Sequence, residues 1–233
     1  MKSLPKIDRP PAVEHWSRMQ HPDAHRTARK LFAFLRGGVS WNYAPSRNVA
    51  RYHIEDQITR DVALRIVQGY GNPIGRKYNL EVVDAMFDYF GTNPIDSVRA
   101  FSELVEWFPI APGAAVPIKP LMVTREGGRF VPNFFNPWSQ VPFDSYQASL
   151  YMTILEKSIF RLTDFEDSPG RFVFFPKVQI GGDILQRRPL IWKRGQFPLL
   201  SDSDLNSQIR IFAESKEIAK AWYLEFIEKN RKQ

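Results

Sequence analysis

The feature that most constrains this chain is a change of hydrophobic period at Ala111-Pro112-Gly113. Before it, apolar residues return at helical spacing. Ala24, Ala28, Leu31, Phe32 and Leu35 form one such series, and Ile58, Val62, Ile66 and Val67 a second. Val83, Met86, Phe87 and Phe90 form a third. Recurrence every three or four residues puts one stripe of a helix against a core. After the change, short apolar runs alternate with glycine-bearing turns, as in hairpin strands. One backbone cannot satisfy a period of 3.6 and a period of 2. The expected fold class is therefore α+β: a helical N-terminal half followed by a small antiparallel sheet closed by C-terminal helices. The expected organisation is a flexible tail over 1–13, a mainly helical subdomain over 14–110 and an α+β subdomain over 111–233 with β-hairpins and C-terminal helices.

Punctuation residues place the elements. Helices are expected over Asp23–Arg36, stopped by Gly37-Gly38, and over Glu55–Gln68, stopped by Gly69. A third should begin after Asn79, a good N-cap, and a fourth should run from Asn93-Pro94 to Phe108 on the stripe Val98, Phe101, Val105 and Phe108. Between the first two, Val39–Tyr52 reads as a loop or irregular strand carrying Trp41, Tyr43, Arg47 and Arg51. Beyond the seam, Val116–Thr124 and Arg129–Phe135 flank Arg125–Gly128 as a hairpin. Asp144–Phe160 reads as a helix with a capping box at Asp144 and Gln147. A strand over Arg171–Ile180 turns at Gly181-Gly182, and Arg187–Leu200 forms a bent strand or a strand pair. Ser201-Asp202-Ser203 should cap a C-terminal helical region that runs to about Lys229, either continuous or broken near Ser215.

Composition removes several function classes. The 233 residues include no cysteine, which excludes disulfides, thiolate nucleophiles, iron–sulfur clusters and cysteine-based zinc sites. No window holds 18 consecutive apolar residues, and Met1–Lys6 is not followed by an apolar run. A cytoplasmic location with no membrane partner is the expectation. The net charge of +7 is unevenly spread. Residues 1–79 carry 14 Lys and Arg against 6 Asp and Glu, whereas 80–110 carry one Arg against six acids. Such a balance directs attention to anionic partners.

Asp56–Phe90 is the best-punctuated stretch, with Gly69-Tyr70-Gly71-Asn72-Pro73-Ile74-Gly75-Arg76-Lys77 at its joint. As a DNA-reading helix-turn-helix it has too long a joint, and Glu81, Asp84 and Asp88 on its second helix would repel phosphates. A packing hairpin is the better reading, with Arg76 and Lys77 in the loop left to meet phosphates. The glycine spacing fits no nucleotide-phosphate motif. His21 and His25 lie four apart but lack a third ligand, and Asp164, Glu166 and Asp167 before Lys177 read as a solvated turn. No metal site and no cofactor are therefore expected.

Two stretches remain. Residues 171–194 carry six cations against Asp183 alone, with Arg187, Arg188, Lys193 and Arg194 interleaved by Trp192. Cations around an aromatic ring can track a nucleic-acid backbone. Phe134, Phe135 and Trp138 sit in an aromatic and proline-rich loop over 130–143 that could dock a protein partner. The leading expectation is a non-catalytic nucleic-acid-associated binding protein using a basic surface through Arg76, Lys77, Arg187, Arg188, Trp192, Lys193 and Arg194. The first alternative is a protein-interaction or self-associating assembly component using Phe134, Phe135 and Trp138. The second is an enzyme of unrecognised class, whose mark would be a deep pocket with converging acid, Tyr or His groups.

Overall fold

A computed structural model describes residues 5–38, 41–95, 100–101 and 103–231. Among them, the helices α1 (Pro5–Asp8), α2 (Val13–Ser17), α3 (Ala24–Arg36), α4 (Ala44–Asp56), α5 (Arg60–Gly69) and α6 (Pro73–Thr92) come first. The strands β1 (Ala100–Phe101), β2 (Glu106–Ala111), β3 (Ala114–Ile118), β4 (Met122–Glu126) and β5 (Arg129–Asn136) follow. Then come α7 (Ser145–Lys157), a 3-10 turn (Thr163–Phe165), β6 (Arg171–Phe174), β7 (Lys177–Gly181), β8 (Ile184–Arg187), β9 (Leu190–Trp192) and α8 (Asp202–Arg231). The class is α+β, with a helical N-terminal half and a long helix at the C-terminal end.

The sheet explains why β6 reads as the unbroken apolar run Phe172-Val173-Phe174-Phe175. Five strands lie in the order β1-β4-β5-β6-β9. Phe134, Phe172 and Phe174 face one hydrophobic cluster, with Leu31, Leu35, Leu150, Ile154 and Phe212 from α3, α7 and α8. Phe135, Val173 and Phe175 face the other, with Val49, Ala63, Val67, Val83 and Met86 from α4, α5 and α6. Alternate residues of a strand point to opposite faces, so a strand covered on both sides must be apolar throughout. β5 and β6 run parallel, in the register Phe134↔Phe172 and Phe135↔Val173, because α7 fills their connection. The other pairs in the sheet are antiparallel.

Four local expectations are corrected. Ala44–Asp56 is a helix where a loop was expected; residues 39–40 lie outside the described residues. Its core stripe is Ser46, Val49, Ala50 and Ile54, small or polar enough to hide a helical period. Helix α6 starts at Pro73, one turn and a half before Asn79. Asn72 is its N-cap, accepting the Ile74 N–H at 2.9 Å, and Pro73 suits the first turn. Arg76 and Lys77 therefore lie on a helix, and the loop shrinks to Tyr70-Gly71-Asn72. Glu106–Ala111 is a strand, not the end of a fourth helix; Val98 of that expected stripe lies outside the described residues. Phe108 and Ile110 point inward, and β3 pairs with β2 across Pro112-Gly113, so pairing overrides a helical spacing. Val116–Ile118 thus belongs to this hairpin, and only β4 and β5 flank Gly127-Gly128.

The C-terminal helical region forms as expected, and of its two alternatives the continuous one holds, since α8 runs unbroken over Asp202–Arg231. Ser215 is buried, and its hydroxyl reaches the Ile211 and Ala24 carbonyls. The capping box forms as expected, with Asp144 accepting the Gln147 N–H and Gln147 accepting the Asp144 N–H. Near the N-terminus, Ile7 and Val13 are buried in the first cluster, and Asp8 meets Lys216 of α8.

One glycine is indispensable to the sheet. Gly170, which leads into β6, has φ +59°, and a Cβ there would stand 2.8 Å from Phe160 and 2.9 Å from Phe172. Gly170→Ala should cost about 2–4 kcal/mol from backbone strain and overpacking. Urea unfolding should show a lower midpoint at unchanged slope.

Candidate functional site

A cavity of about 650 Å3 opens where four separate segments meet. One wall is Trp41-Asn42-Tyr43, leading into α4. Helix α6 holds it in place. Trp41 stacks on Tyr78 with centroids 4.8 Å apart and planes 7° apart. Gly75 lies so close to Trp41 that a Cβ would stand 2.8 Å away, so glycine is required there. Buried Asn79 donates to the Asn42 and Gly75 carbonyls and accepts the Ser46 N–H. The facing wall is Phe135-Asn136-Pro137-Trp138, the end of β5, in which Asn136 accepts the Trp138 N–H at 3.1 Å. Helix α2 supplies Glu14 and His15, with Arg18 just beyond it, and Lys119 sits between β3 and β4.

The lining is cationic. Arg47 and Arg51 lie one turn apart on α4 and converge with Arg18 and Lys119. Arg51 has Glu55 at 3.7 Å; among the described residues, no carboxylate lies within 4 Å of the other three. The Arg18 guanidinium sits 4.5 Å over the Trp138 ring, and the His15 ring meets that ring edge-on at 4.5 Å. Glu14 Oε2 is sealed from water and has no hydrogen-bond partner among the described residues. Burial pushes the Glu14 carboxyl up, against the pull of Arg47. Burial, then Arg18 and Arg47, push the His15 imidazole down to about 4. Tyr151, behind the cavity, is pushed up by burial and by Glu14. A site of this kind can hold an anion against its cations and a planar group against its rings.

The expected site residues divide. Arg187 is buried: it donates to the Pro137 and Phe175 carbonyls, each at 2.7 Å, and to the Tyr43 hydroxyl at 2.9 Å. It thereby ties both walls of the cavity to β6. Arg194 forms a two-pronged bond with Glu156 and donates to the Ser168 carbonyl. Trp192 is buried against Phe174, Phe197 and Phe143. These three are thus spent on packing, because β9 completes the sheet and turns Trp192 inward. Arg188, Lys193 and Lys77 are exposed, and Arg76 is half-buried. Phe134 and Phe135 are buried on opposite faces of the sheet; Phe135 and half-buried Trp138 reach the cavity.

No local pattern in the sequence marks Glu14, Arg18 or Lys119, and His15 stands there as one of only four histidines. Arg47 and Arg51 behind Trp41 and Tyr43 were a legible signal once that stretch was read as a helix. His21 and His25 do not converge: His21 Nδ1 accepts the Asp23 N–H outside α3, while His25 faces Trp222. Among the described residues, no three His, Asp or Glu side chains are grouped to hold a metal ion. No helix among them is long and apolar enough to cross a membrane. The chain matches no family model, no curated protein and no solved structure.

Two outcomes follow from this geometry. Arg187→Ala should cost about 3 kcal/mol or more, because two buried carbonyls lose their donor, whereas exposed Arg188→Ala should change little. Denaturant midpoints of the two variants test this. The second concerns pH. The unfolded chain protonates His15 near its ordinary value of about 6.5, the folded one only near 4. The unfolded state then binds more protons between these values, so stability is lost as pH falls from about 6.5 through 4. Glu14 acts oppositely: its contribution is present at low pH and is lost as pH rises above about 4.3, the unfolded value. His15→Gln removes only the first effect. Its stability should fall less steeply than that of the wild type between pH 6.5 and 4; an unchanged profile would mean that His15 titrates normally.

Proposed function

We propose that this protein is a non-catalytic binder of single-stranded nucleic acid that takes a nucleotide into the cavity between α2, α4 and the end of β5. The observation that carries the reading is the convergence of Arg18, Arg47, Arg51 and Lys119 on walls built from Trp41, Tyr43 and Trp138. Single strands are held by this combination: cations neutralise the phosphates, and aromatic rings stack with bases of any identity. A duplex is a poorer fit, since its bases are already stacked and the rings here sit inside a cavity. The exposed Lys77, Arg188 and Lys193 remain for further backbone contacts. Docking a protein through the 130–143 loop is less favoured, because Phe134 and Phe135 are buried.

A second reading has its own support. Glu14 and His15 are neighbours on one cavity wall, with proton affinities displaced in opposite directions. Such a pair beside cations suits general acid–base cleavage of a phosphodiester. New termini after incubation of labelled RNA or DNA, lost in a His15→Gln variant, would replace binding with catalysis as the function.

Fluorescence anisotropy with a labelled ten-nucleotide strand of mixed sequence tests the binding reading. Binding at low salt should weaken as salt rises, with a logarithmic slope of about −0.7 per neutralised phosphate. Arg18→Ala and Arg47→Ala should each weaken binding and reduce that slope by about 0.7 while leaving the circular dichroism spectrum unchanged. The absence of binding at low salt, or undiminished binding by both variants, would overturn the reading.

A further inference from the structure

The β7–β8 ribbon lacks the features that ordinarily keep a sheet edge from pairing. Val178 is 38% exposed, Ile180 48%, Ile184 64% and Leu185 60%. The two strands pair only with each other, as a two-stranded sheet. Among the described residues, no other backbone-to-backbone hydrogen bond reaches residues 178–186, so the outer N–H and C=O groups of the ribbon are open. Exposed edges are ordinarily guarded by lysine, by proline or by extreme shortness. Strand β9 has such guards: it is three residues long, with Pro189 before it and Lys193 after it. Between Val178 and Gln186 there is no lysine, arginine or proline, and Asp183 is the only charge. Lys177 and Arg187, at the base of the ribbon, are turned to Glu81. Two strands alone are marginal in water, so an apolar ribbon gains from further strands.

Ladder partners share a face. Lys177 and Arg187 therefore place Gln179 and Leu185 on the side of α6, and Val178 and Ile184 on the other. Apolar side chains on both faces suit a new strand at the edge, which covers part of each face, better than a ligand laid on one face. The charges select a second copy of this chain as the source of that strand. Strand β8 has Asp183 before one end and Arg188 just past the other. Both are exposed, and neither meets an opposite charge among the described residues. If β8 pairs antiparallel with its own copy about Leu185 or Gln186, each Asp183 comes beside Arg188 of the other chain, and symmetry makes the contact twice. Strand β7 paired with itself about Gln179 would bring Lys177 to Gly181 and gain no such match. We propose that two copies of this chain join edge to edge through β8, so that their ribbons form one four-stranded antiparallel sheet. The paired surface is short, so the association is weak, with a Kd of roughly micromolar order.

Sedimentation velocity of the full chain tests this, over roughly 1 to 200 µM to bracket such a Kd. It should show a monomer–dimer equilibrium and no larger species, because a two-fold contact closes on itself. Leu185→Lys sets like charges against each other near the two-fold axis and should raise the dissociation constant at least about tenfold. Asp183→Arg and Arg188→Asp each turn two attractions into repulsions and should weaken the dimer roughly fivefold or more, whereas the two combined should restore it. All three positions are exposed, so the circular dichroism spectrum should not change. A monomer at every concentration would overturn self-pairing and leave the ribbon to a strand of another protein. A dimer indifferent to Leu185→Lys, a double charge swap that restores nothing, or growth beyond a dimer would overturn it as well.

Discussion

The buried guanidinium of Arg187 ties the molecule together. It sits at the end of β8, yet its bonds run to Phe175 just after β6, to Pro137 just after β5 and to Tyr43 just before α4. Taking a guanidinium out of water costs several kcal/mol, and only well-placed acceptors offset that. Here two carbonyls, which have no side chain to mutate away, and one hydroxyl supply them, with Glu81 of α6 at 3.6 Å. Lys177 meets the same carboxylate at 2.7 Å, so the β7–β8 ribbon is anchored to α6 from both of its strands. One residue thus holds together the sheet, the α4–α6 layer and both walls of the cavity.

That arrangement bears on how the cavity gains its character. Its walls are held by groups that do not face a ligand: Asn79 and Gly75 behind Trp41, and Arg187 behind Tyr43 and Pro137. Among the described residues, Arg18, Arg47 and Lys119 have no carboxylate within 4 Å, whereas Arg171 is matched by Glu126 and Arg194 by Glu156. Arg18, Arg47 and Lys119 gather unmatched in one concavity, where their summed field favours negative charge.

Much of the frame is legible from local rules. The α3 and α7 caps, the glycine turn at Gly127-Gly128 and the doubly buried run in β6 each follow from a few neighbouring residues. Where local reading failed, the deciding partner was distant. Helix α4 hides its period behind Ser46 and Ala50, which suit close packing and not a hydrophobic stripe. The segment ending at Phe108 satisfies a helical spacing and a strand alternation at once, and only β3 selects the strand. Trp192 with its four cations has the composition of a nucleic-acid ribbon, but pairing of β9 with β6 turns the ring into the core.

By itself, the sequence determined the class, the charge and the chemistry this protein can do without: an α+β chain, basic, with no thiol. Those depend on composition and on periods that span one element. Only the tertiary structure decided which cations are free and which are bonded. That depends on where carboxylates and carbonyls from residues 126, 137, 156 and 175 fall in space, not on neighbours in the chain. The cavity is the clearest case, since Glu14, Arg47, Lys119 and Trp138 come from four segments that nothing local brings together. The Asp56–Phe90 pair, conspicuous in the sequence for its glycine-rich joint, contributes the Gly75, Tyr78 and Asn79 support behind Trp41. Packing against a ring, a contact invisible at the level of spacing, gives those residues their role.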